Sequence, residues 1–457
     1  MTQYQTPETM IACEECGLVV ALPEMSDGQK VQCPRCHHTL LTQISLPFER
    51  PFAYGIACLI MLALSLSFPF MSFSVQGATQ QITLLHAIEM LKHFENSLLA
   101  LLLLFTVVVL PAGYITAVLY LYRKASRHRH TGKVNDGLRF TKWLFRAVFR
   151  IEPWIMVDVF LIGVLVSLIK IASLADVGLG MSFWAFCAYT MLLVKCVSMV
   201  DRIWLWQQFI PIQRLEDVKA GDSHMSANHV SCHTCSQLNP LPETAHVKCS
   251  RCNSALHHYN PNQNLQRSWA FLITSAVFYI PANLYPIMYT VSMGNSEGST
   301  IMGGVVLLWQ LGSYPIAMVI FLASVVIPLG KIFSLIWLFI CARRTTSGKS
   351  TKQAIQRLRL YRMTELIGRW SMIDIFVVAI LVALVQLQNL MAIFPGPGAL
   401  SFAVVVIFTM LSAMTFDPRV FWSSSDNKQQ QTTIRAGSEH DTKLTVISNF
   451  NEKPDYE

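Results

Sequence analysis

Eight of the twelve cysteines are arranged as two groups of Cys-x-x-Cys pairs, which is a metal-binding pattern. The first group is CEECGLVVALPEMSDGQKVQCPRC and the second is CHTCSQLNPLPETAHVKCSRC, with 16 and 13 residues between the two pairs. Four thiolates in two such pairs suit a tetrahedral zinc ion, and both spacers are of zinc-ribbon length. The predicted ligands are Cys13, Cys16, Cys33, Cys36, Cys232, Cys235, Cys249 and Cys252.

A site with four cysteine ligands has no open position for water or substrate, which favours two structural zinc ions over catalytic ones. Iron in a rubredoxin-like site uses the same ligands and is the alternative metal. Thioredoxin-type redox chemistry needs a βαβ setting that modules this short do not supply. The other four cysteines are isolated in apolar segments and are predicted to pack as small apolar side chains. They are Cys58, Cys187, Cys196 and Cys341.

Apolar residues dominate the rest of the chain, since 53% of all residues are hydrophobic and only 14% are charged. A helix that crosses a bilayer needs about 20 consecutive apolar residues. Eight runs of this kind predict an α-helical polytopic membrane protein, and the polar, cysteine-rich start of the chain indicates no signal peptide. The runs are 52–73, 97–122, 153–175, 181–200, 269–290, 313–341, 371–394 and 398–416.

Positive charge is concentrated in two connections between the predicted helices. Residues 123–150 contain nine Lys or Arg against Asp136, and residues 342–369 contain eight against Glu365. Short cytoplasmic loops are enriched in Lys and Arg, so both basic loops, both cysteine modules and both termini are predicted to be cytoplasmic. Disulfides are disfavoured there because cytoplasmic thiols are kept reduced. The formal net charge of +8 therefore indicates topology and anionic lipid headgroups rather than nucleic acid.

The sequence repeats itself with a nearly constant shift. LPAGYITAVLYLYRK matches IPLGKIFSLIWLFICAR, which moves Pro111 by 217 positions to Pro328. EPWIMVD matches GRWSMID, which moves Asp158 by 216 positions to Asp374. Each half is thus a cysteine module followed by four helices. Because four is an even number, the halves form a parallel repeat about an axis along the membrane normal, and they are expected to enclose a cleft.

This repeat predicts five regions, with each cysteine module lying beneath its own half. The outer segments 80–94 and 298–311 are predicted to form short helices on the membrane face. The polar tail lacks apolar periodicity and is predicted to be disordered. The regions are zinc ribbon 1 (10–45), transmembrane repeat 1 (50–206), zinc ribbon 2 (228–260), transmembrane repeat 2 (266–420) and the cytoplasmic tail (423–457).

Ionisable residues inside spanning helices cost about 2.5 to 3.5 kcal/mol on insertion scales and indicate function. Lys331 lies well inside the sixth predicted helix, where the repeat partner is the uncharged Tyr114. Asp158 and Asp374 begin the third and seventh helices. We interpret Lys331 and Asp374 as a proton relay to which Asp158 contributes across the repeat axis; the alternative is a static ion pair, with Asp158 capping its helix. Hydroxyls for the relay are Ser324, Ser371 and Thr409.

Motifs for a chemical energy source are missing. SGKS at 347–350 resembles the end of a phosphate-binding loop, but Arg343 stands where that loop requires glycine. No Rossmann glycine pattern or serine-hydrolase elbow is present, so the chain is not expected to be an enzyme. Energy would come from a proton gradient or from another protein.

Residues 10–422 resemble the paraquat-inducible protein A family, the PqiA and LetA type of Gram-negative inner-membrane proteins. The matching elements are CEECG with CPRC, CHTC with CSRC, both Pro-x-Gly and Trp-x-Met-x-Asp segments, and FTMLSAMTFDPR at 408–419. The second-half pattern of Lys331, Ser371, Asp374 and Thr409 is more similar to the LetA branch. The resemblance implies an MCE-domain partner with a hydrophobic tunnel across the periplasm, and proton coupling through the buried polar residues.

Two functions follow as hypotheses. The first is an inner-membrane subunit that loads or extracts phospholipids for the tunnel partner, with proton coupling, and contributes to envelope integrity. The second is a scaffold or gate that recruits the MCE partner without transporting lipid, with the ribbons as interaction modules. A redox sensor built on the cysteines is a third reading, and it requires labile thiols in place of tightly bound zinc.

Overall fold

The two cysteine modules fold as small β-ribbons ahead of their helical halves. A computed structural model describes residues 9–422, with gaps, and residues 446–447. The gaps are 24, 76–77, 87–88, 90–99, 102, 132–137, 173–175, 227, 242–246, 257–258, 293–294, 311, 313, 345–350, 385 and 388–390. The ribbon strands pair as antiparallel hairpins. They are β1 (Met10–Ala12), β2 (Val19–Ala21), β3 (Lys30–Gln32), β4 (Thr39–Thr42), β8 (Val230–Ser231), β9 (Leu238–Asn239), β10 (Val247–Lys248) and β11 (Ala255–Leu256).

The first half consists of helices joined on one side by a small sheet. Strands β5 (Met71–Val75), β6 (Ala78–Ile82) and β7 (Asp176–Leu179) form an antiparallel sheet in the order β6-β5-β7. The sheet therefore ties the end of the first helix to the start of the last long one. The helices are α1 (Glu49–Ser67), α2 (Leu110–Thr131), α3 (Leu138–Ile151), α4 (Val157–Ala172), α5 (Met181–Met199) and α6 (Arg202–Gln207).

The second half repeats this plan. Strands β12 (Met288–Ser292), β13 (Asn295–Ser299), β14 (Gln386–Leu387) and β15 (Met391–Pro395) form a sheet in the order β13-β12-β15-β14. The helices are α7 (Pro261–Leu284), α8 (Ile301–Gln310), α9 (Tyr314–Phe321), α10 (Ile327–Arg343), α11 (Thr351–Trp370), α12 (Ile373–Leu384) and α13 (Pro397–Thr415).

The predicted helical membrane fold is confirmed. Among the described residues, six helical segments are long and apolar enough to cross a membrane. The predicted runs 269–290 and 371–394 correspond to α7 and α12, which are not among these six, so the count of eight spanning helices stays a prediction. The six segments are Glu49–Ser67, Leu104–Arg129, Leu138–Leu168, Met181–Met199, Ala317–Arg343 and Pro397–Thr415.

The outer segments differ from the short helices predicted for both halves. Residues 78–82 form strand β6, residues 84–86 and 89 are helical, and 87–88 and 90–94 lie outside the described residues. In the second half, a hairpin continues to Ser299, and the helix α8 follows it. The helical prediction is confirmed for α8. The strand at 78–82 was missed because the prediction did not anticipate the backbone pairing that each hairpin makes with a strand far along the chain. In the predicted tail, Val446–Ile447 (β16) pairs with β3, and the rest lies outside the described residues.

In each half the first and last long helices are joined by serine hydroxyls. Ser182 on α5 donates to the carbonyl of Ser65 on α1. In the second half, Ser412 on α13 donates to the carbonyl of Ser268 on α7 at 2.8 Å, and Ser275 donates to Val405 at 3.2 Å. Small residues and hydroxyl hydrogen bonds are the usual means of holding helices together in lipid, where apolar burial gives no preference for a protein neighbour.

A π-helical segment occurs at matching positions in the two halves. Leu104–Val109 precedes α2, and Leu322–Val326 precedes α10, immediately before Pro111 and Pro328 respectively. Proline removes a backbone donor and clashes with the preceding turn, and a π-turn relieves this conflict. The repeat therefore preserves a local irregularity as well as the order of the elements.

The halves contact each other directly through α4 and α12. The rings of Phe160 and Phe376 meet edge to face at 5.5 Å. A Cβ built on Gly163 would lie 3.1 Å from the Cβ of Phe376, so glycine permits the close approach of the two helices. Ser167, one turn further on, donates to the carbonyl of Gly163 at 2.8 Å and lies 3.5 Å from the carbonyl oxygen of Val377.

We expect Gly163→Leu to destabilise the contact between the halves. The added side chain would overlap Phe376, and overpacking of this kind costs about 1 to 3 kcal/mol. Thermal unfolding of the detergent-purified protein, followed by size-exclusion chromatography, should give a lower midpoint. Gly113→Leu is the matched control, since a Cβ at Gly113 meets no atom within 4 Å. Equal midpoints for the two variants would contradict this account of the interface.

Candidate metal centres and buried polar cluster

The first cysteine group forms a compact site of four buried sulfurs. Sγ of Cys13 lies 3.5 Å from Sγ of Cys36, and Sγ of Cys16 lies 3.5 Å from Sγ of Cys33. All four sulfurs lie within 4.8 Å of one another. A tetrahedral site with Zn–S bonds of about 2.3 Å requires sulfurs about 3.8 Å apart. The site therefore has the size and the ligands for one metal ion.

The second cysteine group has the same geometry and an additional hydroxyl. The paired sulfurs are 3.5 Å apart for Cys232 and Cys252, and 3.6 Å apart for Cys235 and Cys249. Oγ of Ser254 lies 2.8 Å from Sγ of Cys252 and 3.2 Å from Sγ of Cys232. When the thiols are ionised, this hydroxyl can donate to a sulfur and stabilise its charge.

Each Cys-x-x-Cys pair closes a turn of one type. The residue after the second cysteine has positive φ in all four pairs: Gly17 at 71°, His37 at 57°, Ser236 at 56° and Asn253 at 62°. Its backbone N–H donates to the carbonyl of the first cysteine at 2.8 to 3.0 Å. Positive φ is uncommon for residues other than glycine, so this hydrogen bond and the closed site must hold three non-glycine residues there. Because the same turn occurs in all four pairs, the sulfurs have the same arrangement in both sites.

The metal-binding ends of the ribbons pack against opposite halves of the membrane region. Arg35, between Cys33 and Cys36, lies over the ring of Trp422 at 4.5 Å, at the end of the second half. Its repeat equivalent Arg251 lies over Trp206 at 5.8 Å, at the end of the first half. The expectation that each ribbon lies beneath its own half is therefore wrong for these ends. The similarity of the repeats identifies which surfaces of the ribbons and the halves match. It does not identify which ribbon packs on which half.

A half-buried carboxylate, Glu15, fixes the first ribbon on the second half. Arg362 on α11 donates through Nε to Glu15 at 3.0 Å and through Nη2 to the carbonyl of Cys36 at 3.0 Å. Burial alone would raise the pKa of Glu15, but hydrogen bonds from His38 and Arg362 outweigh burial and lower that pKa. The carboxylate thus stays ionised and holds the arginine against the metal-binding turn.

A second arginine joins the two ribbons to each other. Arg202 at the start of α6 forms an ion pair with Glu14 of the first ribbon at 3.0 Å and donates to the carbonyl of His233 in the second at 2.8 Å. Apolar contact adds to this junction, where Val19 and Leu238 are both buried in one cluster. The ribbons therefore brace each other as well as the helical ends.

Lys331 is the centre of a polar cluster inside the second half. Its side chain is 3% exposed, and Nζ donates to Oγ1 of Thr409 on α13 at 3.0 Å. Nζ also lies against Gly368 of α11, where a Cβ would be 3.0 Å away. Ser371 donates to the carbonyl of Gly368 at 2.8 Å, so it belongs to the same cluster. The cluster joins three helices, α10, α11 and α13.

The other predicted relay residues lie around this cluster or beyond it. Ser324 is buried in the π-helical segment before α10, and Asp158 is half-buried in the first turn of α4. No hydrogen bond from either side chain to Lys331 is found among the described residues. The backbone of Asp374 is helical, but its side chain lies outside the described part of the chain. The Asp374–Lys331 contact therefore stays a prediction.

The first half lacks this polar cluster at the equivalent place. Tyr114, the repeat partner of Lys331, is buried, and its hydroxyl has no hydrogen-bond partner among the described residues. Thr190, the partner of Thr409, donates to the carbonyl of Phe186 in its own helix at 2.9 Å. The two halves thus share their helices but differ in their interior chemistry.

Sequence reasoning missed Gly368 and the two arginines that lie over tryptophan. Gly368 was identifiable only as a glycine inside a helix, because its role depends on the proximity of Lys331. Arg35 and Arg251 carried a stronger signal, since they stand at equivalent places in CPRC and CSRC. The tryptophans Trp206 and Trp422 are likewise separated by 216 positions.

We expect metal analysis of the purified wild-type chain to give two tightly bound zinc ions. Changing Cys16 and Cys33 to serine together should reduce this to one ion per chain, because two ligands of a single site are lost. Cys187→Ser is the matched control, as Cys187 lies in α5 away from both sites, and it should retain two ions. Iron in place of zinc, or equal metal content in all three proteins, would contradict the assignment.

Comparisons with known proteins agree with the duplicated architecture. The family model for paraquat-inducible protein A matches residues 48–210 and again 265–426, one match for each helical half. Intermembrane transport protein PqiA from Escherichia coli (strain K12) is 38% identical over 432 residues, which cover 94% of this chain and 100% of that protein. No solved structure matches this chain.

Two more distant relatives match over similar lengths. A probable intermembrane transport protein of Haemophilus influenzae is 27% identical and covers 93% of this chain and 98% of its own. Lipophilic envelope-spanning tunnel protein A from Escherichia coli is 26% identical and covers 91% of each chain. The higher identity to PqiA does not support the preference for the LetA branch. The matches over both halves and nearly the whole length show that the chain belongs to the paraquat-inducible protein A family.

Proposed function

We propose that the protein is an inner-membrane subunit of a lipid transport system and is not an enzyme. It would load phospholipids into, or extract them from, an MCE-domain partner that spans the periplasm. Support comes from the relatives named as intermembrane transport and envelope-spanning tunnel proteins, and from the multi-pass helical fold. The basic loops support a cytoplasmic position for the ribbons and both termini. A contribution to outer-membrane integrity follows from supplying lipid to that membrane.

The buried Lys331 carries the mechanistic part of this proposal. A lysine enclosed by membrane helices is costly when charged, so its protonation state depends on its surroundings. Nζ reaches Thr409 on one helix and Gly368 on another, which allows a change of charge to alter the packing of three helices. We assign proton exchange to Lys331 with Asp374, with Asp158 acting from the other half. Ser371, Thr409 and Ser324 would stabilise the intermediate arrangements.

The lipid path would follow the sides of the contact between the halves. Helices α4 and α12 pack directly, with Phe160 on Phe376, so a lipid between the halves would pass beside this contact rather than through it. The ribbons, each holding one structural zinc ion, would keep the cytoplasmic ends in place while the helices above them shift. No chemical change of the lipid is required.

A scaffold that only recruits or gates the MCE partner is the second candidate. The observation in its favour is the extent of the bracing at the ribbons, where arginine contacts link both ribbons to both halves. In a scaffold, Lys331 and Thr409 would hold the helices together without changing charge. The two candidates differ in whether the lysine matters for lipid movement when stability is unchanged.

Lys331→Met and Thr409→Val should both slow lipid transfer between vesicles by the purified protein with its MCE partner. We expect Lys331→Met to reduce the rate at least about tenfold across an imposed pH gradient, which corresponds to about 1.4 kcal/mol in the barrier. Thr409→Val should have a smaller effect, because it removes the acceptor and keeps the charge. Fluorescent phospholipid transfer measures both rates.

Lys195→Met is the matched control for the loss of a lysine in a membrane helix. Lys195 is exposed on α5, and its replacement should leave transfer unchanged. Thermal midpoints must match among the compared variants, so that lost transfer is not lost folding. If Lys331→Met folds and transfers lipid at the wild-type rate across the pH gradient, the relay is refuted and the scaffold is favoured.

A further inference from the structure

A cleft of about 300 Å³ lies where the first ribbon meets the ends of the first-half helices. Its walls come from the ribbon residues after β4, from the start of α1, from the last turns of α2 and from the α5–α6 junction. Glu49 is the first residue of α1 and Met199 is the last of α5. The cleft therefore lies at the level where the helices leave the apolar layer, on the side of the basic loops.

The floor of the cleft is aromatic. Trp204 meets Phe48 edge to face at 4.8 Å and stacks on Tyr122 at 5.9 Å. Beneath it, Asp201 accepts hydrogen bonds from the backbone N–H groups of Trp204 at 2.9 Å and Thr42 at 3.2 Å. These contacts fix the shape of the floor independently of any ligand.

The lining of the cleft includes one cation and several hydrogen-bond acceptors. The guanidinium of Arg129 lies over the ring of Phe48 at 5.8 Å, and no salt bridge of Arg129 is found in the described part of the chain. Asp27 and Glu49 contribute exposed carboxylates. Gln43 donates to Asp27 at 3.3 Å, while its own Oε1 is buried and has no hydrogen-bond partner among the described residues. An acceptor of this kind is costly unless a donor reaches it.

An apolar track leads away from the rim along α1. From Glu49 onward, exposed residues recur at intervals of three or four positions, and these residues are Ala53, Ile56, Ile60 and Leu64. Residues three or four apart lie on one face of a helix, so these side chains form a continuous exposed stripe that begins at the cleft. An apolar stripe on a membrane helix is where acyl chains lie.

The equivalent place in the second half is filled. Phe339, the repeat partner of Tyr122, stacks on Phe416 at 5.1 Å, and Phe416 meets Phe421 at 5.5 Å. Asp417, the partner of Asp201, forms a salt bridge with Arg419. Aromatic side chains and this ion pair thus stand in the second half where the first half has lining residues of the cleft.

We propose that this cleft binds the headgroup of an aminophospholipid from the adjacent leaflet, with phosphatidylethanolamine as the chemical type. Arg129 pairs with the phosphate, and the primary ammonium donates to Gln43 and to the carboxylates of Asp27 and Glu49. The acyl chains follow the stripe on α1. The choice of a membrane lipid as the occupant rests on the proposed function, but binding here does not require transport or the Lys331 cluster.

Native mass spectrometry of the full chain tests this assignment. The protein is released from vesicles of equal parts dioleoyl phosphatidylethanolamine, phosphatidylcholine and phosphatidylglycerol, and the retained lipids are counted. The wild type should preferentially retain one phosphatidylethanolamine. Phosphatidylcholine keeps the charges but has no N–H donor, and phosphatidylglycerol lacks the cation. Both should bind about tenfold more weakly, the effect of losing one charge-assisted pair.

Variants of the cleft test the contacts with the phosphate and with the ammonium group separately. Arg129→Ala should reduce phosphatidylethanolamine retention about tenfold, whereas Arg129→Lys should reduce it less because the charge remains. The combined change of Asp27→Asn and Glu49→Gln should abolish the preference over phosphatidylcholine. Arg123→Ala is the matched control, since Arg123 is exposed on the same helix and does not line the cleft. Thermal midpoints confirm that all variants are folded.

Several outcomes would overturn the assignment. Equal retention of the three lipids, or equal loss in the Arg129→Ala and Arg123→Ala variants, would show that the cleft does not select a headgroup. Glycerophosphoethanolamine, which has the headgroup without acyl chains, should compete only weakly. If it binds as tightly as the lipid, the occupant is a soluble phosphate compound and not a membrane lipid. Failure of lipid transfer in the vesicle assay would leave these binding results unchanged, so the two proposals are tested separately.

Discussion

Arg35 lies over Trp422 and Arg251 over Trp206, and each arginine directly precedes the last cysteine of its metal site. The arrangement of the ribbons on the helical ends depends on these two contacts. A guanidinium over an indole ring is favourable by about 0.5 to 2 kcal/mol, and its direction is fixed only when the turn that carries it is rigid. A metal ion bound by the four sulfurs would supply this rigidity, because it would fix the path of both turns. A metal ion at either site would thus determine how firmly the end of the opposite half is held.

Duplication preserved the framework and allowed the interiors to diverge. Both halves keep the outer sheet, the π-helical segment and the serine bonds between first and last helices, which are features of backbone geometry. The side chains that carry charge differ: Lys331 is buried in the second half where the first has Tyr114, and the open cleft beside Trp204 has an aromatic cluster in its place in the second half. The buried lysine cluster and the open cleft consequently lie on different repeats.

Much of this could be predicted from the sequence because the signals are local or periodic. Cysteine spacing identifies both sites, and the constant shift identifies the repeat. The outer strands were missed because NSEGS at 295–299 has no apolar alternation, and because its hairpin partner β12 also pairs with the distant strand β15. The packing of each ribbon against the opposite half was missed for a related reason. Cys36 and Trp422 are adjacent in space but separated by nearly the whole chain, and no spacing rule connects them.

The packing of each ribbon against the opposite half also determines the order in which these contacts form during biosynthesis. The second ribbon emerges after Trp206, so its packing surface already exists when its last cysteine is made. The last cysteine of the first ribbon is Cys36, but the surface on which this ribbon packs is completed only with Trp422. At about 5 to 20 residues per second, the first ribbon must wait roughly 20 to 80 seconds for its partner surface. During that interval the first ribbon lacks its contacts with Arg362 and Trp422, so a metal ion held by its four cysteines would matter more for its fold than for that of the second ribbon.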